Sequence, residues 1–258
     1  MSTPRFNDRL LTYAAQYRLQ SPSMNMLLLT SNISDNACNV RDRQLRHLLD
    51  VHKAKVGDSF KVGHINGLMG TGTIIQLDKE QATLTLDLSQ DPPPPIPLTM
   101  LLALPRPKML RRTLQTIAAM GVKTLYLINS SRVEKSFWQS PFLSPEAIEH
   151  QLILGLEQAR DTLLPEVHLR KLFKPFVEDE LSDLIRGTIP LVAHPNTDKN
   201  CPVDISEKIT LAIGPEGGFI PYEIDKLKEI GFQAVHVGPR ILRVENAVPS
   251  IISRLFPS

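Results

Sequence analysis

The run DPPPPIP, Asp91 to Pro97, constrains this chain more than any other stretch. Consecutive prolines carry no backbone N–H and hold φ at about −65°, so neither a helix nor a central strand can cross them. They favour an extended polyproline spacer. The chain is therefore expected to fold as two units, with residues 92–97 as the linker. A length of 258 residues leaves enough chain to bury a core on each side.

The patterns on the two sides differ in kind. In ATLTLDLS, Ala82, Leu84, Leu86 and Leu88 alternate with polar partners, the period of a half-buried strand. SFKVGHINGLMGTGTIIQL reads as two strands joined around Asn66-Gly67, a dipeptide favoured where a hairpin needs positive φ. Its GLMGTG reverses the order of a dinucleotide-binding fingerprint and no helix follows, so these are hairpin glycines. Residues 26–91 are expected to form a small β-barrel, preceded by an appended extension over residues 1–25.

Beyond the linker, strands alternate with helices. PLTMLLAL and KTLYLIN read as buried strands. Between them Leu110, Leu114 and Ile117 recur at helical spacing, and Gly121 closes the helix. Ser144-Pro145-Glu146 supplies an N-cap, a proline at the first helical position and an early acid for a helix to about Ala159. TIPLVAH, KITLAIG and AVHVG are three further short strands, with a helix after Pro221 between the last two. Such alternation predicts an α/β unit with a parallel sheet and right-handed crossovers over residues 98–258.

No apolar run approaches the length of a membrane span, and the first residues contain no long apolar segment of the secretory type. Cys38 and Cys201 are isolated thiols, as expected in a reducing cytoplasm. The seven histidines show no metal-ligand spacing, and no metal is expected. Net charge is only +2, but its distribution is uneven. Arg41, Arg43, Arg46, His47, His52, Lys53 and Lys55 form one basic stretch. Arg106, Lys108, Arg111, Arg112, Lys123, Arg132 and Lys135 form a second. These are either solvated faces or surfaces for a polyanion.

Three strand ends carry unusual residues: VAHPN (Val192–Asn196), IGPEGGF (Ile213–Phe219) and VGPRILR (Val237–Arg243). In open α/β sheets ligands sit beyond the carboxyl ends of strands. A phosphate loop would offer a lysine, whereas here Glu216 stands in the corner and would repel phosphate. Gly214, Gly217, Gly218 and Gly238 either let the main chain approach a neutral or cationic ligand, or merely shape tight turns.

IGPEGGF followed by VGPRILRVENA resembles the 16S ribosomal RNA uridine-N3 methyltransferase family of the SPOUT class. RHLLDVHKAKVGD and EQARDTLLPEV add to the likeness, which extends from Met26 onward. The resemblance implies a PUA-like N-terminal barrel, a C-terminal trefoil knot and a homodimer. It also implies S-adenosyl-L-methionine in the knot loops, lined by Val192, Ala193, His194, Ile213, Gly214, Pro215, Glu216, Gly217, Gly218, Val237, Gly238, Ile241, Leu242 and Arg243. The expected substrate is a uridine of small-subunit ribosomal RNA. Arg243 is expected to contact the base or its phosphate, and Glu245 to orient Arg243 or accept a proton. Arg46, Lys53, Arg106, Lys108, Arg111, Arg112 and Arg132 are the expected RNA contacts.

Departures from the family pattern are local. Glu245-Asn246-Ala247 replaces E-T-A, and a last helix with Asn246 as N-cap would put Pro249 at its third position. QTIAAMGV (Gln115–Val122) stands where the family has Q-K-A-T-E-L-G-V, without the Lys and the Glu. NSSRVEKSFWQS departs from S-E-R-x-x-x-K. A divergent methyltransferase fits these features, and so does a non-catalytic RNA-binding assembly factor on the same fold.

Overall fold

The computed structural model describes residues 25–257. The extension expected over residues 1–25 falls, apart from its last residue, outside the described residues.

The first sheet contains β1 (Leu27–Leu29), β2 (Ala37–Val40), β3 (Ser59–His64), β4 (Met69–Leu77) and β5 (Ala82–Gln90), with helix α1 (Asp42–Asp50) between β2 and β3. Its order is β1-β3-β4-β5-β2, antiparallel except for the parallel pair β1–β3. The alternation read in the sequence places Ala82, Leu84 and Leu86 inside. Asn66 holds φ at 55° at the hairpin tip between β3 and β4. β1 and β2 are each too short to have stood out in the pattern.

The second sheet is parallel throughout, in the order β11-β9-β10-β6-β7-β8. Its strands are β6 (Leu98–Ala103), β7 (Thr124–Ile128), β8 (Glu166–Arg170), β9 (Ile189–Ala193), β10 (Ile209–Ile213) and β11 (Gln233–Val235). β6 and β10 lie at the centre and are apolar almost throughout, as strands covered on both faces must be. The long helices are α2 (Pro107–Ala119), α3 (Pro145–Ala159), α4 (Pro221–Glu229) and α5 (Val244–Leu255). A stretch of mixed α and π turns covers 173–184. Gly155 brings α3 against α2: a Cβ there would lie 2.3 Å from the Gln115 carbonyl oxygen, so no larger residue fits.

The last helix corrects one expectation. It begins at Val244, not at Asn246, because the Arg243 carbonyl already accepts from the Asn246 and Ala247 amides at 2.9 and 2.8 Å. Pro249 consequently lies inside the helix and removes a bond to the Glu245 carbonyl, a loss of roughly 3 kcal/mol in an isolated helix. Burial of Val244, Val248, Ile251, Ile252 and Leu255 offsets it.

The proline run leads straight into β6, but the units it joins are packed together. Leu27 and Leu29 of β1 enter the smaller core, whereas Met26 and Leu28 enter the larger one. Glu157, buried at the end of α3, accepts from both Arg43 (2.9 Å) and Gln44 (3.1 Å) of α1. The hairpin tip adds Asn66 N to the Thr162 carbonyl at 2.8 Å and Leu164 N to Asn66 Oδ1 at 2.9 Å. Arg43, read in the sequence as part of a basic surface, is thus spent on this junction.

Candidate functional site

Parallel strands put their carboxyl ends on one side of the sheet, and β9, β10 and β11 are neighbours or next neighbours there. The three loops that follow them therefore meet. After β9, His194 N extends the pairing by donating to the Val235 carbonyl at 3.0 Å, and His194 Nδ1 accepts from Asn196 N at 3.2 Å. After β10, Gly218 N donates to the Pro215 carbonyl at 2.7 Å, closing a tight turn with φ of +72° at Gly218. A Cβ on Gly214 would sit 2.9 Å from Phe219 N, so this corner can close only around glycine. After β11, His236 Nδ1 accepts from Gly238 N at 3.1 Å.

These loops and one face of α5 enclose a cavity of about 290 Å³. Ala193, His194, Ile213, Gly214, Pro215, Glu216, Gly217, Gly218, Val237, Gly238, Ile241 and Leu242 are all on its wall, where the sequence placed them. Val192 is not: its position in β9 is buried between neighbouring strands. Arg243 is exposed at the N-cap of α5, beside the wall and not part of it. Glu245 is half-buried in the first turn of that helix. Sequence reasoning missed Val244, Ala247 and Ile251, which line the cavity at i, i+3 and i+7 of α5. That stripe becomes legible only once the helix is started at Val244. It also missed His236 and Arg240, which carry no periodic signal.

Two carboxylates hold the glycine corner. Glu216 Oε1 accepts from Arg106 N at 3.3 Å, so it caps the start of α2, where helix amides lack partners and negative charge is favoured. Glu223, at the third position of α4, accepts from Ile220 N at 3.0 Å and reaches across to Ser131 N at 2.6 Å and Ser130 Oγ at 3.3 Å. It is 3% exposed, and a carboxylate so buried is tolerable because donors surround it. The loop after β7 is thereby fixed against the corner. Arg132, carried by that loop, donates to the Gly217 carbonyl.

The expected RNA contacts divide accordingly. Arg106, Lys108 and Arg112 are exposed along the first part of α2, and Arg111 lies over the Phe142 ring at 5.2 Å. Arg46 and Lys53 are exposed at α1 and just beyond it. Trp138 is half-buried, with Nε1 donating to Asn129 Oδ1 at 2.9 Å, the role of an anchor. Among the described residues no group of three or more His, Cys, Asp or Glu side chains is placed to hold a metal ion. Nor is any described helix long and apolar enough to cross a membrane.

The family model of the RNA methyltransferase domain matches residues 92–256. Over 232 residues the chain is 29% identical to the ribosomal RNA small subunit methyltransferase E of Treponema pallidum, covering 87% of each protein. Over 229 residues it is 25% identical to ribosomal RNA small subunit methyltransferase E 1 of Borreliella burgdorferi, covering 87% of this chain and 94% of that one. Among solved structures it is similar to a ribosomal RNA small subunit methyltransferase E from Neisseria gonorrhoeae bound to S-adenosyl methionine. The TM-score is 0.69, with 23% identity over 89% of this chain and 95% of that one. A putative methyltransferase from Legionella pneumophila, in complex with the bound cofactor SAM, gives a TM-score of 0.68 at 21% identity, over 89% and 96% of the two chains. The chain belongs to the RNA methyltransferase domain family, within the small-subunit ribosomal RNA methyltransferases that the IGPEGG and GPRILR segments resemble.

Proposed function

We propose that this protein transfers a methyl group from S-adenosylmethionine to N3 of a uridine in small-subunit ribosomal RNA. One observation carries the reading: three loops from adjacent strand ends, narrowed by glycine, converge on a single cavity with a carboxylate at its wall. The residues fit that cofactor. Ile213, Val235, Val244 and Ile251 offer apolar walls for a flat ring, and backbone groups of the glycine turns supply polar contacts. Glu216 faces a ligand that bears positive charge, although its first task is to cap α2.

Bound there, S-adenosylmethionine supplies a methyl group made electrophilic by its sulfonium charge. The protein's own contribution is orientation and charge stabilisation. Arg243, exposed beside the cavity, binds the uracil or its phosphate and steadies negative charge on the ring once N3 is deprotonated. Glu245, on the first turn of the same helix, orients that guanidinium or receives the N3 proton.

The finer architecture belongs to the same proposal. Residues 26–91 act as a PUA-like RNA-binding domain, 92–97 as the linker and 98–258 as the SPOUT domain. The connection from β9 to β10 supports a knotted C-terminus. Lys199 and Cys201 pair with His236 on one side, while Asp204 and Ile205 accept no further strand and instead donate to the carbonyls of Arg254 and Leu255. That connection therefore lies across the chain between β11 and the end of α5. Ile241, 84% exposed at the cavity mouth, is the residue that a second subunit of a homodimer would cover. Calorimetric titration of the protein with S-adenosylmethionine tests the core of this reading. Saturable one-site binding is expected, and no heat at millimolar cofactor would sink it.

A further inference from the structure

The stretch QTIAAMGV puts Thr116 where the related family's pattern has Lys, and Ala119 where it has Glu. These positions are three apart and so share one face of α2. Together with Arg112, Gln115, Met120 and Gln158 they line an open groove of about 330 Å³. It has no residue in common with the cavity at the strand ends. A Lys and a Glu at 116 and 119 would pair across this space and fill it. Threonine and alanine leave it open.

What remains on the wall is suited to a nucleotide. Arg112 is exposed and in no ion pair among the described residues, and Lys108 stands one turn before it on the same helix face. No carboxylate lines the groove. Gln115 Nε2 donates to Gln151 Oε1 at 2.7 Å, which fixes the amide and leaves Oε1 as an acceptor. The close contact at Gly155 brings α3 near enough for Gln158 to share the groove.

We propose that this groove holds one unpaired nucleotide of the RNA substrate and helps to select that RNA. Its phosphate lies on Arg112 and its base edge on the amides of Gln115 and Gln158. Glutamine amides match base edges bidentately, and unpaired RNA bases are read on those edges. Thr116 lies about ten residues beyond Arg106, roughly 15 Å of helix. The nucleotide held is therefore one that flanks the target uridine. This assignment rests on the methyltransferase reading given above.

The test is to refill the groove. The double variant Thr116→Lys/Ala119→Glu is compared with the unaltered protein in steady-state methylation of small subunits from a strain lacking this gene. A KM for subunits raised about tenfold is expected, the loss of one base contact, with kcat and S-adenosylmethionine affinity retained. Gln158→Ala should move KM the same way by a smaller factor. Unchanged KM in both variants would overturn the assignment. So would a change of sedimentation behaviour with unchanged KM, which would give the groove to a second copy of the chain. If the unaltered protein transfers no methyl, the enzyme reading fails by itself. The groove is then judged by retention of labelled subunits on a filter, where the double variant must still weaken binding about tenfold.

Discussion

Gly214 leaves no room for a side chain. Adding even a methyl would press a carbon to 2.9 Å from Phe219 N, and that neighbour is backbone and cannot swing aside. Gly214→Ala is therefore expected to lower S-adenosylmethionine affinity at least tenfold, measured by calorimetry. Stability should fall by only about 1 kcal/mol, because the strain is confined to one turn. Arg243 makes the opposite case. It stands outside the cavity wall, so Arg243→Ala should cut kcat by about a hundredfold or more while leaving cofactor affinity within twofold. Unchanged turnover would remove it from the mechanism. Much of this was legible in the sequence, because IGPEGGF and VGPRILR state their glycines in order. The first task of Glu216 was not, because its partner Arg106 is distant in the chain and is reached through a backbone amide.

Elements were legible where a period or a cap marked them. α3 starts where Ser144-Pro145-Glu146 said it should, with Ser144 Oγ accepting from Ala147 N at 3.2 Å. α5 was misplaced because Asn246 is a good cap by type, yet the Arg243 carbonyl had already started the helix. β8 was passed over because its five residues, EVHLR, sit at the sheet edge, half-exposed and without clean alternation. Glu223 is the residue on which the elements around the corner depend, since α4, the loop after β7 and the turn at Ile220 all use its carboxylate. Glu223→Ala would strand buried donors, and a loss of about 2–3 kcal/mol is expected in urea unfolding. A loss under 0.5 kcal/mol would mean that the loops hold without it. The β9–β10 connection carries its own reporter. Burial pushes the Cys201 thiol up to about 11, so at pH 8 it is protonated as well as covered. Its reaction with a thiol reagent should wait for unfolding of the C-terminal region. Prompt labelling in the folded protein would contradict the packing of that connection against Arg254, whose Nε donates to the Cys201 carbonyl at 2.7 Å.

At the scale of the whole molecule, the proline run announced two units but not their junction. β1 explains why: alternate residues of one short strand serve different cores, which no local pattern can reveal. Glu157 ties the first sheet to the second through Arg43 and Gln44, and its main-chain carbonyl accepts from Met26 N at 3.0 Å. A rigid junction matters if one unit grips RNA while the other presents the cofactor. Glu157→Ala is accordingly expected to cost about 2 kcal/mol in stability, since Arg43 remains partly solvated. It should also raise KM for small subunits with little effect on cofactor affinity. The central claim is the chemistry itself, and the most direct measurement is transfer of labelled methyl from S-adenosylmethionine to small ribosomal subunits from a strain lacking this gene, followed by nucleoside analysis. Label recovered as 3-methyluridine is the expected result. Label in any other nucleoside, or no label on subunits that bind the protein, would contradict it.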